Sequence, residues 1–308
     1  MATHPIDCTL VTCELVPELD SDDRLLLREL KKRGLSVSIG VWSDPRVDWS
    51  ASRLCVLRST WDYHQRHRDF MTWIERVSSL TVLRNDPQLL RWNAHKSYLR
   101  ELERFGVPIV PTEWLPQGDR ATLEELRQKR GWPEIVLKPA LGAAAHDVTH
   151  VRGDAASLAA GATRLNGLLV KTDVVVQPYL KAVVEYGERA LIFLRGRYSH
   201  AVVKKPFDTV LIVGGATSLI EATAEEIAVA IQATAALPRA PLYARIDLLR
   251  DDAGGVRVSE VELIEPGLYF AAHQPAVRDF ADAVVAELER ARRTTGCETP
   301  ARLSPRRS

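Results

Sequence analysis

The sequence predicts an α/β and α+β protein of three units: an N-terminal domain with a parallel sheet, a small central α+β unit and a C-terminal unit with an antiparallel sheet. Three features lead to this prediction. Strand-like and helix-like segments alternate at the start, a compact mixture of helices and strands follows, and beyond Gly187 strands are joined mostly by turns. We therefore expect units at residues 1–90, 91–180 and 181–295, followed by a disordered tail at 296–308.

The N-terminal unit contains four apolar runs that predict strands, at residues 9–14, 35–42, 53–58 and 81–84. Helices are predicted between them at 21–33 and 69–79. Ser21 can cap the first helix, Asp22 and Asp23 suit the positive end of its dipole, and Gly34 can adopt the left-handed conformation that ends it. Alternation of strands and helices implies parallel pairing.

A single amphipathic helix is predicted over residues 87–105, carrying Lys96 and starting with a proline, whose missing amide is harmless there. Residues 107–111 must be extended. From about 112 to 180 the pattern predicts helix, strand, loop, strand, helix and strand.

The C-terminal unit is predicted to contain strands at residues 190–194, 198–204, 242–249 and 256–264. Two helices can cover this sheet, at 223–235 and 276–293, and Thr223 and Glu226 can form a capping box at the start of the first.

Composition is that of an ordinary globular protein, since 46% of the 308 residues are hydrophobic and 26% are charged. Basic residues number 41 and acidic residues 40, so no net field favours nucleic acid or an anionic membrane as a partner. No apolar run approaches the roughly 18 residues needed to cross a bilayer, and the first residues lack the pattern of a secretory signal. The chain has four cysteines, which are too scattered for a disulfide framework or a zinc site: Cys8, Cys13, Cys55 and Cys297. Three of them lie in strand-like segments, so we expect small core residues and a reducing cytoplasm as the setting.

An acidic hairpin near the end of the chain is the sharpest chemical feature. Residues two apart in a strand face the same side, so Glu260 and Glu262 project together, as do Arg245 and Asp247. The turn at 251–255 would pair the two strands. Three carboxylates that close would repel unless a cation lay among them, and hard oxygen ligands suit Mg²⁺, with Mn²⁺ as an alternative. A solvated acidic face is the other interpretation, but the apolar neighbours of these residues favour a metal site bridging nucleotide phosphates.

Lys138 ends a strand-like run, and the loop after it, residues 140–146, has small side chains that let backbone amides approach a phosphate. Taken alone, a structural loop beside a solvated lysine explains this segment better. Glu188 follows a glycine and can accept hydrogen bonds from a ribose, although a lone glutamate is more often a surface charge. Before Glu188, a strand-like run ends in four residues whose exposed backbone groups can bind an adenine edge: Gln177, Pro178, Tyr179 and Leu180. A plain hinge between two units is the other interpretation.

Four residues after the third predicted strand lie at the carboxyl end of the parallel sheet, where open α/β folds bind ligands: Arg58, Trp61, Asp62 and Tyr63. An arginine for a carboxylate, an aspartate for an ammonium and two aromatic rings would suit an amino acid. A capped core strand with a packed tryptophan is an equally good interpretation. His200 and Lys204 can also face the cleft.

From about Cys8 to Arg293, the order of these parts resembles the ATP-grasp ligase superfamily. The resemblance implies an ATP-grasp fold with a pre-ATP-grasp domain, a central lid and a C-terminal domain with the metal site. It implies ATP phosphates at Lys96 and Lys138, adenine at residues 177–180 and ribose at Glu188. It further implies phosphate binding by Arg245 and magnesium ligation by three carboxylates: Asp247, Glu260 and Glu262.

The segments 57–63, 92–96, 199–202 and 260–266 are similar to a glutathione synthetase-like bacterial subgroup, which includes the O-ureidoserine cyclo-ligase of cycloserine biosynthesis. One departure matters. Such proteins usually carry a loop with an arginine for the acyl phosphate or substrate, whereas residues 205–213 are shortened and apolar here. We expect Lys204 or Lys205 to supply the missing cation, and the resemblance does not fix the substrate.

The resemblance implies an ATP- and Mg²⁺-dependent ligase that activates a small-molecule carboxylate as an acyl phosphate for attack by an amine, releasing ADP and phosphate. Arg245, Lys138 and Lys204 would act on the transferred group, and the loops after Lys138 and Lys205 are candidate lids. Two alternatives stay open: an intramolecular cyclo-ligase, or a nucleotide-binding regulatory protein that lost turnover. Expected partners are small molecules, and a homo-oligomer is left open.

Overall fold

The structure, a computed structural model, describes residues 4–142, 147–204 and 217–295. Its first sheet has four parallel strands in the order β2-β1-β3-β4. The elements of this unit are β1 (Ile6–Thr12), α1 (Asp23–Lys32), β2 (Val37–Val41), β3 (Ser52–Ser59), α2 (His67–Leu80) and β4 (Val82–Arg84). The predicted parallel sheet is therefore present, with strand ends shifted by a few residues.

The start of α1 differs from the prediction, because Ser21 does not cap it. Asp22 occupies the cap position, but its carboxylate accepts hydrogen bonds from the distant amides of Phe270 (2.9 Å) and Ala271 (2.7 Å). Asp20 instead accepts a hydrogen bond from the amide of Asp23 at 2.8 Å. The residue before the first turn of α1 thus holds the backbone of residues 270–271 in place, instead of capping the free amides of α1.

The single helix predicted over residues 87–105 is wrong, since the structure has two helices, α3 (Pro87–Asn93) and α4 (Tyr98–Arg104). Between them the amide of Lys96 donates to the Ala140 carbonyl at 2.7 Å, which replaces a helical hydrogen bond. This break carries Lys96 toward the central sheet.

The central sheet is antiparallel, with the order β5-β8-β6-β7. Its elements are β5 (Glu113–Leu115), α5 (Leu123–Arg130), β6 (Ile135–Pro139), β7 (Thr149–Val151), α6 (Ala155–Leu169) and β8 (Val174–Pro178). The prediction missed β5, whose three residues are too few to show a strand pattern and which is held by pairing with β8.

The third sheet is antiparallel with the order β11-β10-β9-β12-β13. Its elements are α7 (Ala182–Glu185), β9 (Glu188–Leu194), β10 (Arg197–Lys204), β11 (Ser218–Ile220), α8 (Ala224–Ala235), β12 (Tyr243–Arg250), β13 (Val256–Glu262) and α9 (Pro275–Thr295). The capping box of Thr223 and Glu226 is present at α8. The short strand β11 was not predicted.

Helix α9 lies between the first and third sheets rather than covering the third alone, since it packs on α1, β3 and β9. Leu10, Val56, Ile192 and Phe280 belong to one buried cluster shared by these elements. The first and last units therefore have a common core, which fixes the carboxyl end of the parallel sheet beside the acidic hairpin.

The three sheets fall within the three predicted units, and the borders at residues 90 and 180 stay predictions. Cys8, Cys13 and Cys55 are buried free thiols, as expected of core residues, while Cys297 and the predicted tail lie outside the described residues. Among the described helices, none has both the length and the apolar character that a membrane span requires.

Candidate active site

The hairpin of β12 and β13 has the register expected from strand alternation, with Arg245 opposite Glu262 and Asp247 opposite Glu260. One carboxylate oxygen from each of Asp247, Glu260 and Glu262 lies within 4.8 Å of the others. The structure thus brings the three predicted metal ligands together.

Two cations of the third sheet neutralise the buried end of this cluster. Arg245 donates from Nε and Nη2 to the two oxygens of Asp247, each at 2.9 Å, and Nη2 also contacts Glu262. Lys204 Nζ contacts Asp247 at 2.6 Å and Glu188 at 2.9 Å. Burial of Asp247 favours its neutral form, but Arg245 and Lys204 outweigh burial and lower its pKa to about 2.

Two further lysines reach the cluster from the opposite side. Lys96 Nζ contacts Glu260 and donates to the Gly142 carbonyl at 3.2 Å. Lys138, on β6, makes no ion pair with a described residue; burial lowers its pKa, while Glu260 and Glu188 act against burial. The segment after Lys138 contacts Lys96, since the Ala140 and Gly142 carbonyls accept hydrogen bonds from its amide and its ammonium, so the end of β6 lies beside the hairpin. Burial opposes ionisation of Glu260, but Lys96 and Lys138 lower its pKa.

Two glutamates of the same segment behave differently. Burial raises the pKa of Glu262 to about 7 against the pull of Arg245, and Asp247 and Glu260 add to the rise. Burial, with Glu262 and Glu260 nearby, raises the pKa of Glu265 well above its usual range. Glu265 lines a small cavity together with Tyr63, Lys96, Glu260 and Glu262.

The predicted adenine hinge includes the last two residues of β8 and continues along the chain toward the third sheet. The Gln177 side chain is buried and donates to Thr112 Oγ1 at 3.0 Å, so it does not reach the cleft. The amide of Tyr179 donates to the Glu134 carbonyl at 2.9 Å, and Pro178 pairs with Ile135. The Tyr179 amide is therefore not available to an adenine edge, which corrects that part of the prediction, while the backbone role predicted for Gln177 stays a prediction. Among the described backbone hydrogen bonds, none uses the Tyr179 carbonyl or the Leu180 amide, which are the groups that suit an adenine edge.

The predicted ribose residue Glu188 is the first residue of β9. Its carboxylate accepts a hydrogen bond from Ser259 Oγ at 2.7 Å and pairs with Lys204. Glu188 therefore lies in the same cleft as the acidic hairpin.

Arg58 is not placed to bind a substrate, which corrects that prediction. It is 1% exposed, its Nε donates to Asp23 at 2.8 Å and its Nη2 donates to the Pro266 carbonyl at 3.0 Å. The guanidinium lies 5.0 Å from the ring centre of Tyr243 and 5.6 Å from that of Phe280. These contacts join the first and third sheets.

The other predicted substrate residues separate into two groups. Asp62 accepts a hydrogen bond from Trp42 Nε1 at 2.7 Å, and Trp61 Nε1 donates to the Glu265 carbonyl at 3.3 Å, as the packed-tryptophan alternative expected. Tyr63 is buried and lines the cavity with Glu265.

His200 lies on the same face of β10 as Lys204 but is buried and hydrogen-bonded within the protein, which is a second correction to the substrate set. The ring is 4% exposed, stacks on His273 at 4.7 Å and bonds the Leu268 carbonyl through Nε2 at 3.0 Å. Burial and His273 lower the pKa of His200 to about 4.

Sequence reasoning assigned no role to Glu265, Ser259 or Tyr269, whose ring lies 5.9 Å from the Arg245 guanidinium. If β13 continued, alternation would put residue 264, not Glu265, on the face of Glu260 and Glu262. The strand ends at Glu262, so alternation does not apply to the residues that follow. The motif of residues 260–266 was the one signal that contained Glu265. Lys205, the apolar loop at 205–213 and part of the loop at 140–146 lie outside the described residues.

Comparison with known proteins adds family evidence to this geometry. The family described as the N-terminal domain of D-cycloserine synthetase DcsG matches residues 8–85. The cycloserine biosynthesis protein DcsG of Streptomyces lavendulae is 32% identical over 299 residues, covering 91% of this chain and 98% of the relative. The chain belongs to the DcsG family.

Solved structures agree with this assignment. The crystal structure of D-cycloserine synthetase DcsG matches with a TM-score of 0.83 and 31% identity, over 91% of this chain and 99% of that one. D-alanine–D-alanine ligase of Bacillus anthracis in complex with ATP (TM-score 0.65, 16% identity, 94% and 99% coverage) shows the fold alone. So does the ATP-grasp ligase PsnB with a minimal precursor, Mg and ADP (0.62, 16%, 92% and 99%). These findings confirm the predicted resemblance, the ATP-grasp fold class and the prediction of a carbon–nitrogen ligase.

Proposed function

We propose that this DcsG-family member is an ATP- and Mg²⁺-dependent ligase that activates a small-molecule carboxylate as an acyl phosphate and joins it to an amine. The observation that carries the proposal is one cleft in which three clustered carboxylates of the hairpin meet lysines from the linking segment and from the central sheet. This is the arrangement needed to hold a triphosphate between two units of the chain.

The donor set fits a hard divalent cation. Asp247, Glu260 and Glu262 offer carboxylate oxygens at metal-site spacing. Side-chain cations of the chain itself are paired with these carboxylates, and a bound Mg²⁺ would take their place. When bound, Mg²⁺, or Mn²⁺ in its place, would neutralise phosphate charge and polarise the transferred group.

The chain's own cations have separate tasks. Lys96 and Lys138 hold the α- and β-phosphates, the backbone at residues 179–180 positions adenine, and Glu188 binds the ribose. An oxygen of the substrate carboxylate attacks the γ-phosphorus, the bond to the β–γ bridging oxygen breaks, and ADP leaves with that electron pair. Arg245 and Lys204 stabilise the charge on the phosphoryl oxygens in a buried site, where such contacts are strong.

In the second step the amine nitrogen attacks the acyl carbon, the bond to the phosphate oxygen breaks, and phosphate leaves with the electron pair. The amine loses its proton to water or to the departing phosphate. Lys204 neutralises the leaving group, which is the task expected of the cation that replaces the missing arginine.

A second candidate is closure of a ring within one substrate, favoured by the 32% identity to a protein named for cycloserine biosynthesis. A regulatory protein without turnover is disfavoured, because the carboxylate cluster with Lys96 and Arg245 beside it supports a site that performs turnover. The cytoplasmic setting and the oligomeric state stay predictions.

Phosphate release from Mg-ATP in the presence of pooled amino acids, aminooxy acids and amines tests the proposal. Turnover that needs two compounds supports the ligase, and turnover with one compound alone, giving a product that has lost one water, supports the cyclo-ligase. Nucleotide binding without turnover on any pool would contradict both.

A further inference from the structure

We propose that Asn93 and Tyr98 are positioning residues that hold the backbone beside Glu260 and Glu262, so that both carboxylates are oriented for a metal ion. This inference rests on the proposed function, because it names the side chains that support the metal site from outside.

Both side chains bind along the outer edge of β13, the last strand of the third sheet, which has no neighbouring strand of that sheet on this side. Near the middle of β13, backbone groups take the place of a neighbour. The Val110 amide donates to the Val258 carbonyl at 3.0 Å, and the Val258 amide donates to the Pro108 carbonyl at 2.8 Å. Farther along, beside the two glutamates, side chains take over from the backbone.

Asn93 binds the backbone on both sides of Glu262. Its Nδ2 donates to the Val261 carbonyl at 2.7 Å, and its Oδ1 accepts a hydrogen bond from the Leu263 amide at 2.8 Å. These two backbone groups belong to the two peptide planes that meet at the Cα of Glu262. Because both planes are held, the direction in which the Glu262 side chain leaves the backbone is fixed.

Tyr98 holds one side of Glu260. Its phenol oxygen accepts a hydrogen bond from the Val261 amide at 3.0 Å, which fixes the peptide plane that follows Glu260. Asn93 ends α3 and Tyr98 begins α4, so both belong to the segment that carries Lys96, and the Lys96 ammonium contacts Glu260. One segment therefore supplies the phosphate lysine and the support for two metal ligands.

The location of these hydrogen bonds indicates more than general stabilisation. Asn93 is 8% exposed, Tyr98 is 2% exposed, and both line the small cavity that contains Glu260 and Glu262. Each end of the Asn93 amide is bonded to backbone, so Asn93 acts through Glu262 rather than as a ligand itself. Groups that orient metal ligands in this way typically change metal affinity by about 10- to 100-fold when they are replaced.

The experiment measures AMP-PNP binding by calorimetry with and without Mg²⁺. Asn93→Leu removes both hydrogen bonds at similar side-chain volume, and Tyr98→Phe removes only the hydroxyl. The gain in affinity that Mg²⁺ provides should fall about tenfold or more in Asn93→Leu and by a smaller factor in Tyr98→Phe, while affinity without Mg²⁺ stays unchanged. Raising the Mg²⁺ concentration about a hundredfold should restore nucleotide binding, which a general loss of structure would not allow.

Tyr243→Phe is the matched control. The buried Tyr243 hydroxyl bonds the Leu57 and Ile264 carbonyls at 2.8 and 3.0 Å, so it holds backbone close to the hairpin but not beside Glu260 or Glu262. This variant should be less stable than wild type in urea unfolding and should keep the full gain in affinity from Mg²⁺.

A wild-type gain from Mg²⁺ in both variants would make Asn93 and Tyr98 structural only and overturn the proposal. An equal loss of affinity with and without Mg²⁺ would also overturn it, because the effect would then lie on the phosphates through Lys96. If Asn93→Leu does not fold, Tyr98→Phe decides alone. If wild type binds AMP-PNP equally with and without Mg²⁺, the proposed metal site itself fails, and this inference fails with it.

Discussion

Replacing Arg58 with methionine tests whether this buried arginine is structural. The guanidinium pairs with Asp23, donates to the Pro266 carbonyl and lies over two aromatic rings, and the side chain is 1% exposed. Methionine has a similar length but no charge, so Asp23 would lose its cation beside the further carboxylates of Asp20 and Asp22.

The expected cost follows from the burial of the pair. Removing one partner of a buried ion pair destabilises a protein by about 3–5 kcal/mol, since the other charge is left uncompensated. For a chain of this size, about 2 °C of melting temperature is lost per kcal/mol, so the melting temperature should fall by roughly 6–10 °C. Packing of the methionine against the rings of Tyr243 and Phe280 keeps part of the apolar contact.

Thermal and urea unfolding followed by circular dichroism measure this cost. Arg53→Met is the matched control, because Arg53 lies on β3 like Arg58 and also forms an ion pair, with Asp7 at 3.0 Å. Unlike the Arg58 pair, both side chains of this pair are more than a fifth exposed. The control should lose at most about 1 kcal/mol. If Arg58→Met is as stable as the control and instead raises the substrate KM at unchanged nucleotide affinity, the structural interpretation is refuted and Arg58 is a substrate ligand.

The remaining predictions concern the site and its pH dependence. Glu260→Ala should abolish phosphate release through loss of Mg²⁺ while circular dichroism shows a folded protein, and near-normal activity would refute the metal assignment. Lys138→Ala should weaken Mg-AMP-PNP binding at least about tenfold in calorimetry without loss of stability, since it removes a buried ammonium that has no ion pair among the described residues; unchanged affinity would contradict its phosphate role. AMP-PNP should bind at least about tenfold more tightly with Mg²⁺ than without it, and equal affinity would contradict the shared site. The pKa of His200 is lower in the folded chain, about 4 against 6.5, so its contribution to stability is complete above pH 6.5 and is lost as pH falls toward 4. Wild type should lose about 2 kcal/mol more than His200→Phe between pH 7.5 and pH 5 in urea unfolding, and parallel losses would contradict this.

Local patterns predicted the parts of the molecule that depend on neighbouring residues. The register of Asp247 with Glu260 follows from strand alternation and a short turn, so the acidic cluster could be predicted from residues 245–262 alone. The capping box before α8 is also local. These features need no knowledge of distant contacts.

The predictions that failed depend on contacts between distant segments. The break between α3 and α4 is held by the Lys96 amide and the Ala140 carbonyl, which no pattern within residues 87–105 shows. Arg58 carried the expected type of side chain, but its partner Asp23 is 35 residues earlier in the chain. The amphipathic pattern of α9 indicated an apolar face without indicating that two sheets would share it.

The ion pairs of the site join side chains proposed to bind phosphate with side chains proposed to bind the metal ion. Lys96, proposed for phosphates, contacts Glu260, proposed for the metal, and Arg245 is paired in the same way with Asp247 and Glu262. A nucleotide alone would draw the cations away and leave buried carboxylates unpaired, and a metal ion alone would do the reverse, each at a substantial cost. Their complex supplies both charges at once, which is the physical reason to expect coupled binding.

Within the part of the cleft that the structure describes, the ammonium of Lys138 has no ion-pair partner. Lys96 and Arg245 are paired with carboxylates and can exchange these partners when Mg-ATP binds, whereas Lys138 gains a partner only from a ligand. Phosphate oxygens of a nucleotide would provide that partner at the end of β6. The charge pattern therefore favours a nucleotide held between the central sheet and the acidic hairpin.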